Sequence, residues 1–330
     1  MIETKELCRH FRTPIKDEGM RGVMRLLIKP SYKTTEALKN VSFQIERGNF
    51  IGLIGANGAG KTTLLKILSG LIPPTSGNAK VMSFVPFERS IDFRKKISLV
   101  MGQKAQLWWD LSALDAFDLL RAIYEIPYPS YKKRLNELTE LLNVNQLLKT
   151  QIRKLSLGER MKMELIGALI HWPEVIFLDE PTIGLDILAA HNLRSFLKKF
   201  NQNHKATIIL TSHNMEDIEE LCPRILILKT GELIYDGSPN TLTKKGEIRL
   251  KLLLLQYPTP EELAKTTELP ITQIEVEQES PEPRHIIFHI KKELIIAVLQ
   301  KLMRYYQVID MSIEEQSLET VIQQIYEKNN

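Results

Sequence analysis

Residues 50–68 read FIGLIGANGAGKTTLLKIL, and this stretch decides the fold. FIGLIG at 50–55 is an apolar run closed by glycine, the pattern of a strand buried on both faces. GANGAGKT at 55–62 is an uninterrupted G-x-x-x-x-G-K-[ST], and LLKILSGL at 64–71 continues as a helix. Strand, glycine loop and helix in that order form the context in which such a loop wraps phosphate. Gly55, Gly58 and Gly60 let the backbone curl so that its N–H groups point inward. A helix starting near Lys61 adds its positive end. Lys61 can reach β- and γ-phosphates, and the Thr62 hydroxyl can ligate Mg²⁺. Asn57, Ala59 and Thr63 complete the candidate cradle.

Outward from this loop, ISLVMGQ (97–103), VIFLDE (175–180) and ATIILTS (206–212) are further buried-strand runs. They alternate with helical patterns from about residue 40 to 230, which predicts an α/β domain with a mainly parallel sheet. VIFLDE delivers Asp179 to a strand end, where it can hold the water shell of Mg²⁺. Glu180 beside it can orient and deprotonate an attacking water, a contribution of roughly 10²–10⁴-fold. Between two of these strands, LSALDAFDLLRAIYEI, YKKRLNELTELLNV and ERMKMELIGALIH carry i, i+3, i+4 apolar spacing. They predict an inserted helical subdomain over about 105–170. RILILKTGELIYDG (224–237) alternates about Thr230-Gly231 and reads as an antiparallel hairpin. Past residue 240, prolines cluster and strand-like runs (EIRLKLLLL, ITQIEVEQ, HIIFHIKK) alternate with helical ones. The expected division is a nucleotide-binding domain over 1–240 and a small accessory α/β domain over 241–330.

Composition excludes several classes. Of 330 residues, 43% are hydrophobic and 25% charged, the balance of an ordinary globular protein. A net charge of +4 gives no footprint for nucleic acid, and none is expected as partner. Cys8 and Cys222 make neither a disulfide framework nor a zinc site. MIETKELCRHF carries no apolar signal core, and no uncharged apolar run reaches about 18 residues. Work at a membrane would therefore go through a partner chain, with this chain peripheral on the cytoplasmic face. The Lys- and Arg-rich stretch from Arg9 to Lys33 has two readings: a solvated loop, or a short basic helix, MRGVMRLLI, near headgroups or a partner.

LSLGE at 155–159 precedes a helix and resembles the LSGGQ signature of the ABC ATPase family; the likeness runs from about residue 32 to 240. It implies a P-loop NTPase (RecA-like) core that binds ATP and Mg²⁺. In that family the signature clamps the γ-phosphate of nucleotide held by the opposite subunit, so Ser156 and Gly158 would serve a partner copy. Leu157 and Glu159 depart from the pattern. Gln103 matches the Q-loop glutamine, which touches Mg²⁺ or the attacking water and links catalysis to the transport subunit. His213 resembles the switch histidine on the γ-phosphate, and Gly184-Leu185-Asp186 resembles the D-loop that crosses the dimer. Tyr32 stands near the place of the adenine-stacking ring, with Phe11 as its competitor.

GQKAQLWWDLSALD, IYEIP and RKLSLGERMKMELIGALIHWPEVIFLDEPTIGLD resemble, more narrowly, ATPase subunits of bacterial type-2 ABC transporters, usually exporters encoded beside membrane permeases. There the neighbourhood of Trp108–Trp109 receives a helix of the membrane subunit. The pair is either such an anchor or packed inside the helical subdomain. The implied assembly is a sandwich of two copies, or of this chain and a homologous ATPase subunit, on integral-membrane permease subunits. Two other functions are open to this resemblance: an ABC-type ATPase of DNA repair or translation, and a nucleotide-state sensor. Against the first stand the lack of sustained heptads and of a second G-x-x-x-x-G-K. Against the second stands the presence of Lys61, Asp179, Glu180 and His213 together.

Overall fold

The computed structural model describes residues 1–14, 32–102, 105–243, 247–256, 258–277, 285–315 and 317–327. Gln103, and residues 15–31 of the basic stretch with its MRGVMRLLI segment, lie outside them. The chain divides into two compact units, Met1–Gly237 and Ser238–Asn330.

In chain order the first unit runs β1 (Ile2–Pro14), β2 (Tyr32–Ile45), β3 (Phe50–Ile54), α1 (Lys61–Leu68), β4 (Ser76–Val81) and β5 (Ile97–Met101). Then come α2 (Ala113–Ile123), α3 (Tyr128–Leu142), α4 (Leu157–Leu169), β6 (Val175–Asp179) and α5 (Ile187–His204). It closes with β7 (Thr207–Thr211), α6 (Met215–Leu221), β8 (Arg224–Lys229) and β9 (Glu232–Gly237). Six strands form one sheet in the order β5-β6-β7-β3-β8-β9, parallel except for the final β8-β9 hairpin. The hairpin turns at Thr230 and Gly231, both at positive φ, the backbone that a right-handed ribbon needs. The central strands are buried throughout because helices cover both faces of a parallel sheet. Each fully buried Ile or Leu there contributes about 1.5–3 kcal/mol relative to exposure.

β2, β1 and β4 form a second, antiparallel sheet. This corrects the loop reading of the basic stretch at both ends: Arg9–Pro14 and Tyr32–Lys33 pair as strand. Arg9–Phe11 are half-buried and Arg12–Pro14, Tyr32 and Lys33 exposed, so no alternation marks them, while pairing between the two strands holds them. The helical subdomain is present as α2, α3 and α4, each with an apolar face buried. Helix starts fall where short polar side chains cap them: Ser112 accepts from Asp115 N, Ser156 from Glu159 N, Asp186 from Ala189 N.

The second unit runs β10 (Glu247–Leu254), α7 (Pro260–Thr267), β11 (Ile274–Glu277), β12 (His285–Lys291), α8 (Ile295–Leu302) and β13 (Val308–Glu315), then α9 (Leu318–Glu327). Its sheet has the order β11-β12-β10-β13, a ferredoxin-like β-α-β-β-α-β arrangement around a core of its own. The sequence reading missed β13. Its residues Ile309, Met311 and Ile313 remain about half exposed on an edge strand, so burial gives it no sharp signature. Among the described residues, no helix is long and apolar enough to cross a membrane.

Candidate active site

The parallel sheet brings four distant segments to one edge. Met101 pairs with Asp179, Asp179 with Thr211, and Thr211 with Leu53, so one rung crosses β5, β6, β7 and β3. One residue beyond the rung stand Gly102, Glu180, Ser212 and Ile54, at the carboxyl ends of the strands. That is where open α/β sheets bind ligands.

From β3 the loop Gly55–Gly60 turns into α1. Gly60 has φ 108°, and a Cβ there would lie 2.5 Å from the Ala37 carbonyl oxygen of β2. Gly58 also has positive φ, +83°, but faces open space. The reason for glycine therefore differs: close approach and conformation at Gly60, conformation alone at Gly58. Ala56–Thr63, with Ala37 and Glu180, line a cavity of about 160 Å³. Lys61 Nζ folds onto the loop and donates to Gly55 O at 2.5 Å and Ala56 O at 3.3 Å. Burial pulls the Lys61 pKa down, and the charges of Glu180 and Asp179 resist that shift.

Thr62 Oγ1 donates to Asp179 Oδ2 at 3.0 Å, and Thr211 Oγ1 donates to Asp179 Oδ1 at 2.7 Å. Two hard oxygens, one hydroxyl and one carboxylate, thus converge beside the loop. Mg²⁺ takes such a donor set when it keeps waters and phosphate oxygens as its other ligands, so these residues fit that ion.

Glu180 sits at φ 55°, a left-handed conformation that costs a non-glycine residue roughly 1–3 kcal/mol. It is held there by its N–H, which donates to Thr211 O at 3.0 Å and Thr211 Oγ1 at 3.1 Å. Gly102 presses on the other side: its N–H donates to Asp179 O at 2.8 Å, and a Cβ on it would lie 2.0 Å from Glu180 O. The Glu180 side chain is aimed at His213, with Oε1 3.0 Å from Nε2. Among the residues expected at the site, the loop, Asp179, Glu180 and His213 are brought together.

Of the other described residues, Ser156, Gly158, Asp186 and Tyr32 line no part of the loop cavity. Ser156 caps α4 in a capping box: its hydroxyl donates to Glu159 Oε2 at 2.8 Å, and its N–H to the same oxygen at 3.0 Å. Those two bonds, the backbone one first, lower the Glu159 pKa. Gly158 lies against Ala189 and Leu185, and Leu157 against Gly184, so the signature touches the following loop of its own chain. Asp186 caps α5, with Oδ1 accepting from Ala189 N at 2.7 Å. Tyr32 opens β2 opposite Pro14, is 55% exposed, and does not line the loop cavity. Phe11 instead lies under the Arg9 guanidinium, 4.6 Å from its ring centre. Trp108 and Trp109 are 47% and 51% exposed, which favours an outward-facing pair.

Sequence reading missed a hub behind this site. Asp217, fully buried on α6, accepts from Thr182 Oγ1 at 2.5 Å and Ser212 Oγ at 2.6 Å through one oxygen, and from Arg194 Nη1 at 2.9 Å through the other. Arg194, itself 1% exposed, also reaches Glu216 and Glu220. The hub ties the loop after Glu180 to the segment carrying His213. An Asp in the first turn of a helix reads in sequence as an ordinary favourable charge at a helix start, so it gave no signal.

With this geometry, the comparisons with known proteins converge. The ABC transporter family profile matches residues 38–183. The ABC transporter ATP-binding protein NatA of Bacillus subtilis is 31% identical over 210 residues, which span 64% of this chain and 85% of NatA. The linearmycin resistance ATP-binding protein LnrL of the same organism is 34% identical over 218 residues, 66% of this chain and 70% of that one. A dimeric ATP-binding cassette solved in a post-hydrolysis state with ADP and Pi superposes with a TM-score of 0.60 at 25% identity, over 72% of this chain and 98% of the cassette. The chain belongs to the ATP-binding subunits of ABC transporters. It is an ATPase of the P-loop class that powers a membrane transporter, and the repair, translation and sensor readings fall away.

Proposed function

We propose that Glu180 is the general base that activates water for attack on the γ-phosphate, with His213 orienting its carboxylate and contacting the same phosphate. The observation that carries this is the 3.0 Å approach of Glu180 Oε1 to His213 Nε2, beside the Thr62–Asp179 pair. Backbone N–H groups of Gly55–Gly60 and the start of α1 hold the phosphates, with Asn57, Ala59 and Thr63 completing the cradle. Lys61 swings from the loop carbonyls to the β- and γ-phosphates, exchanging two neutral acceptors for anionic ones. Thr62, Asp179 and, by family resemblance, Gln103 would hold Mg²⁺, which would neutralise charge on the phosphate oxygens. Tyr32 stacks on adenine.

Each site is completed by a second copy, whose Ser156, Gly158 and Asp186 reach the nucleotide across a two-fold axis. The Ser156 hydroxyl must leave Glu159 Oε2, to which it donates at 2.8 Å, to do so. Closure on ATP and reopening after hydrolysis drive permease subunits on the cytoplasmic face of the membrane, as a rigid-body switch. Export is the favoured direction: linearmycin resistance in the name of one relative supports it. Residues from Ser238 onward act as an accessory domain. The test is Glu180→Gln. ATP binding is expected to persist and a dimer to accumulate on ATP, while steady-state turnover falls by about 10²–10⁴-fold. Turnover near that of the wild type would refute the assignment.

A further inference from the structure

Glu164 is a buried carboxylate that the hydrolytic site does not use. It lies on α4, is 6% exposed, and faces the segment that follows β5. Both its oxygens receive two successive backbone amides: Gln106 N at 3.0 and 3.1 Å, and Leu107 N at 3.2 Å to each. Gln106 is in turn tied to the core sheet, its Nε2 donating to Leu99 O of β5 at 2.8 Å. One residue thus joins the parallel sheet to the helical subdomain. The neighbouring positions on α4 serve the same contact. A Cβ on Gly167 would lie 2.9 Å from Leu107 Cδ2, so glycine leaves room for Leu107 to seat on the helix. Arg160 lies over the Trp109 ring at 5.5 Å. Positions 160, 164 and 167 share one helix face.

We infer that Glu164 is a positioning residue that fastens the Gln106–Leu107 backbone to α4, so that displacement of the exposed Trp108–Trp109 segment is delivered to the helix carrying Ser156 and Gly158. This rests on the proposed role of the signature in a two-copy site. The chemistry selects a carboxylate. Two adjacent N–H groups converge on one side chain, and an acceptor-only group satisfies both. Glutamine would turn an NH₂ donor toward them, and alanine would leave the buried Leu107 N–H and the part-buried Gln106 N–H without this acceptor. Burial pushes the Glu164 pKa up; the two amides and Arg160 work against that shift.

The test uses the full chain carrying Glu164→Gln, with Glu164→Asp and Gly167→Ala as companions, and reads amide hydrogen exchange together with ATPase kinetics. In Glu164→Gln, the amides of 106–107 are expected to exchange roughly tenfold faster or more, the factor set by loss of an acceptor for a buried donor. The rest of α2–α4 keeps wild-type protection. The kcat is expected to fall about tenfold with KM for ATP within about twofold, because the loop that binds ATP is untouched and only the closing helix is mispositioned. Glu164→Asp restores part of kcat; Gly167→Ala, which lifts Leu107 without touching the carboxylate, reproduces the loss. Wild-type exchange and kcat in Glu164→Gln would overturn the inference. So would uniform loss of protection across the helical subdomain, since Glu164 would then be a general structural group. The Glu180→Gln chain with Glu164 intact, assayed alongside for an ATP-dependent dimer, separates the two readings. If no such dimer forms, the two-copy site fails, whatever Glu164 does.

Discussion

Asp217→Ala is the perturbation with the largest effect to be worked from the structure. It removes one partner of a pair in which Arg194 is 1% exposed and Asp217 fully buried, and it strands the Thr182 and Ser212 hydroxyls. Breaking a buried ion pair from one side costs about 3–5 kcal/mol. Glu216 and Glu220 stay beside the guanidinium at 3.0 and 2.9 Å but are 55% and 41% exposed, so they compensate in part. The expected loss is therefore near the low end, about 3 kcal/mol, or roughly 6–12 °C in Tm for a unit of this size. Thr182 follows Glu180 closely and Ser212 precedes His213, so both arms of the site lose an anchor. A shift of about 1 Å there costs on the order of 10²-fold in rate. Thermal unfolding and steady-state ATPase on one preparation measure both effects. The double variant Asp217→Leu with Arg194→Met separates them, because replacing a buried pair by apolar groups is near neutral for stability. It should recover most of the Tm and none of the rate, as the two hydroxyls still lack their acceptor. A single variant that melts within about 2 °C of wild type and hydrolyses ATP normally would refute the hub.

Two further outcomes are expected. Gly102→Ala would set a Cβ 2.0 Å from Glu180 O, so β5 and the Glu180 turn must part by about 1 Å, with about 1–3 kcal/mol lost to overpacking and roughly 10²-fold in kcat; a variant with wild-type kcat speaks against a rigid Glu180. His171 is stacked 3.9 Å from Tyr124, bonds to Ile97 O through Nε2 and has its pKa pushed down to about 4, by burial first, from 6.5. Between those values the unfolded chain binds more protons, so stability rises with pH across that window and is lost as pH falls from 6.5 toward 4. Urea unfolding at pH 7 and pH 4.5 should show about 2 kcal/mol less pH dependence in His171→Phe than in wild type, and an unchanged slope would mean that His171 is solvated.

How far the site was legible follows from the range of each interaction. GANGAGKT and VIFLDE declare themselves because phosphate binding and strand burial are local: a few consecutive backbone N–H groups, a lysine one turn away, a carboxylate at a strand end. His213, Gln103 and the signature had no such local content. They rested on order and resemblance, and one of them, Gln103, lies outside the described residues. The strand pairing of Arg9–Pro14 with Tyr32–Leu38 leaves no alternation in the sequence, because Arg9–Phe11 are half-buried and Arg12–Pro14 exposed, and the partner strand lies outside any local window.

By itself, then, the sequence determined that this chain has a phosphate-gripping loop, an acidic strand end and a parallel α/β core, since each follows from side-chain type at fixed short spacing. Tertiary structure alone decided the order β5-β6-β7-β3, which puts Gly102, Glu180 and His213 beside the Lys61 loop. It also decided the two buried carboxylates, Asp217 and Glu164, that hold those loops in place. Parallel neighbours are joined by crossovers that leave no mark on local sequence. A buried charge is recognised only by the donors that surround it, and those come from elements brought together by folding.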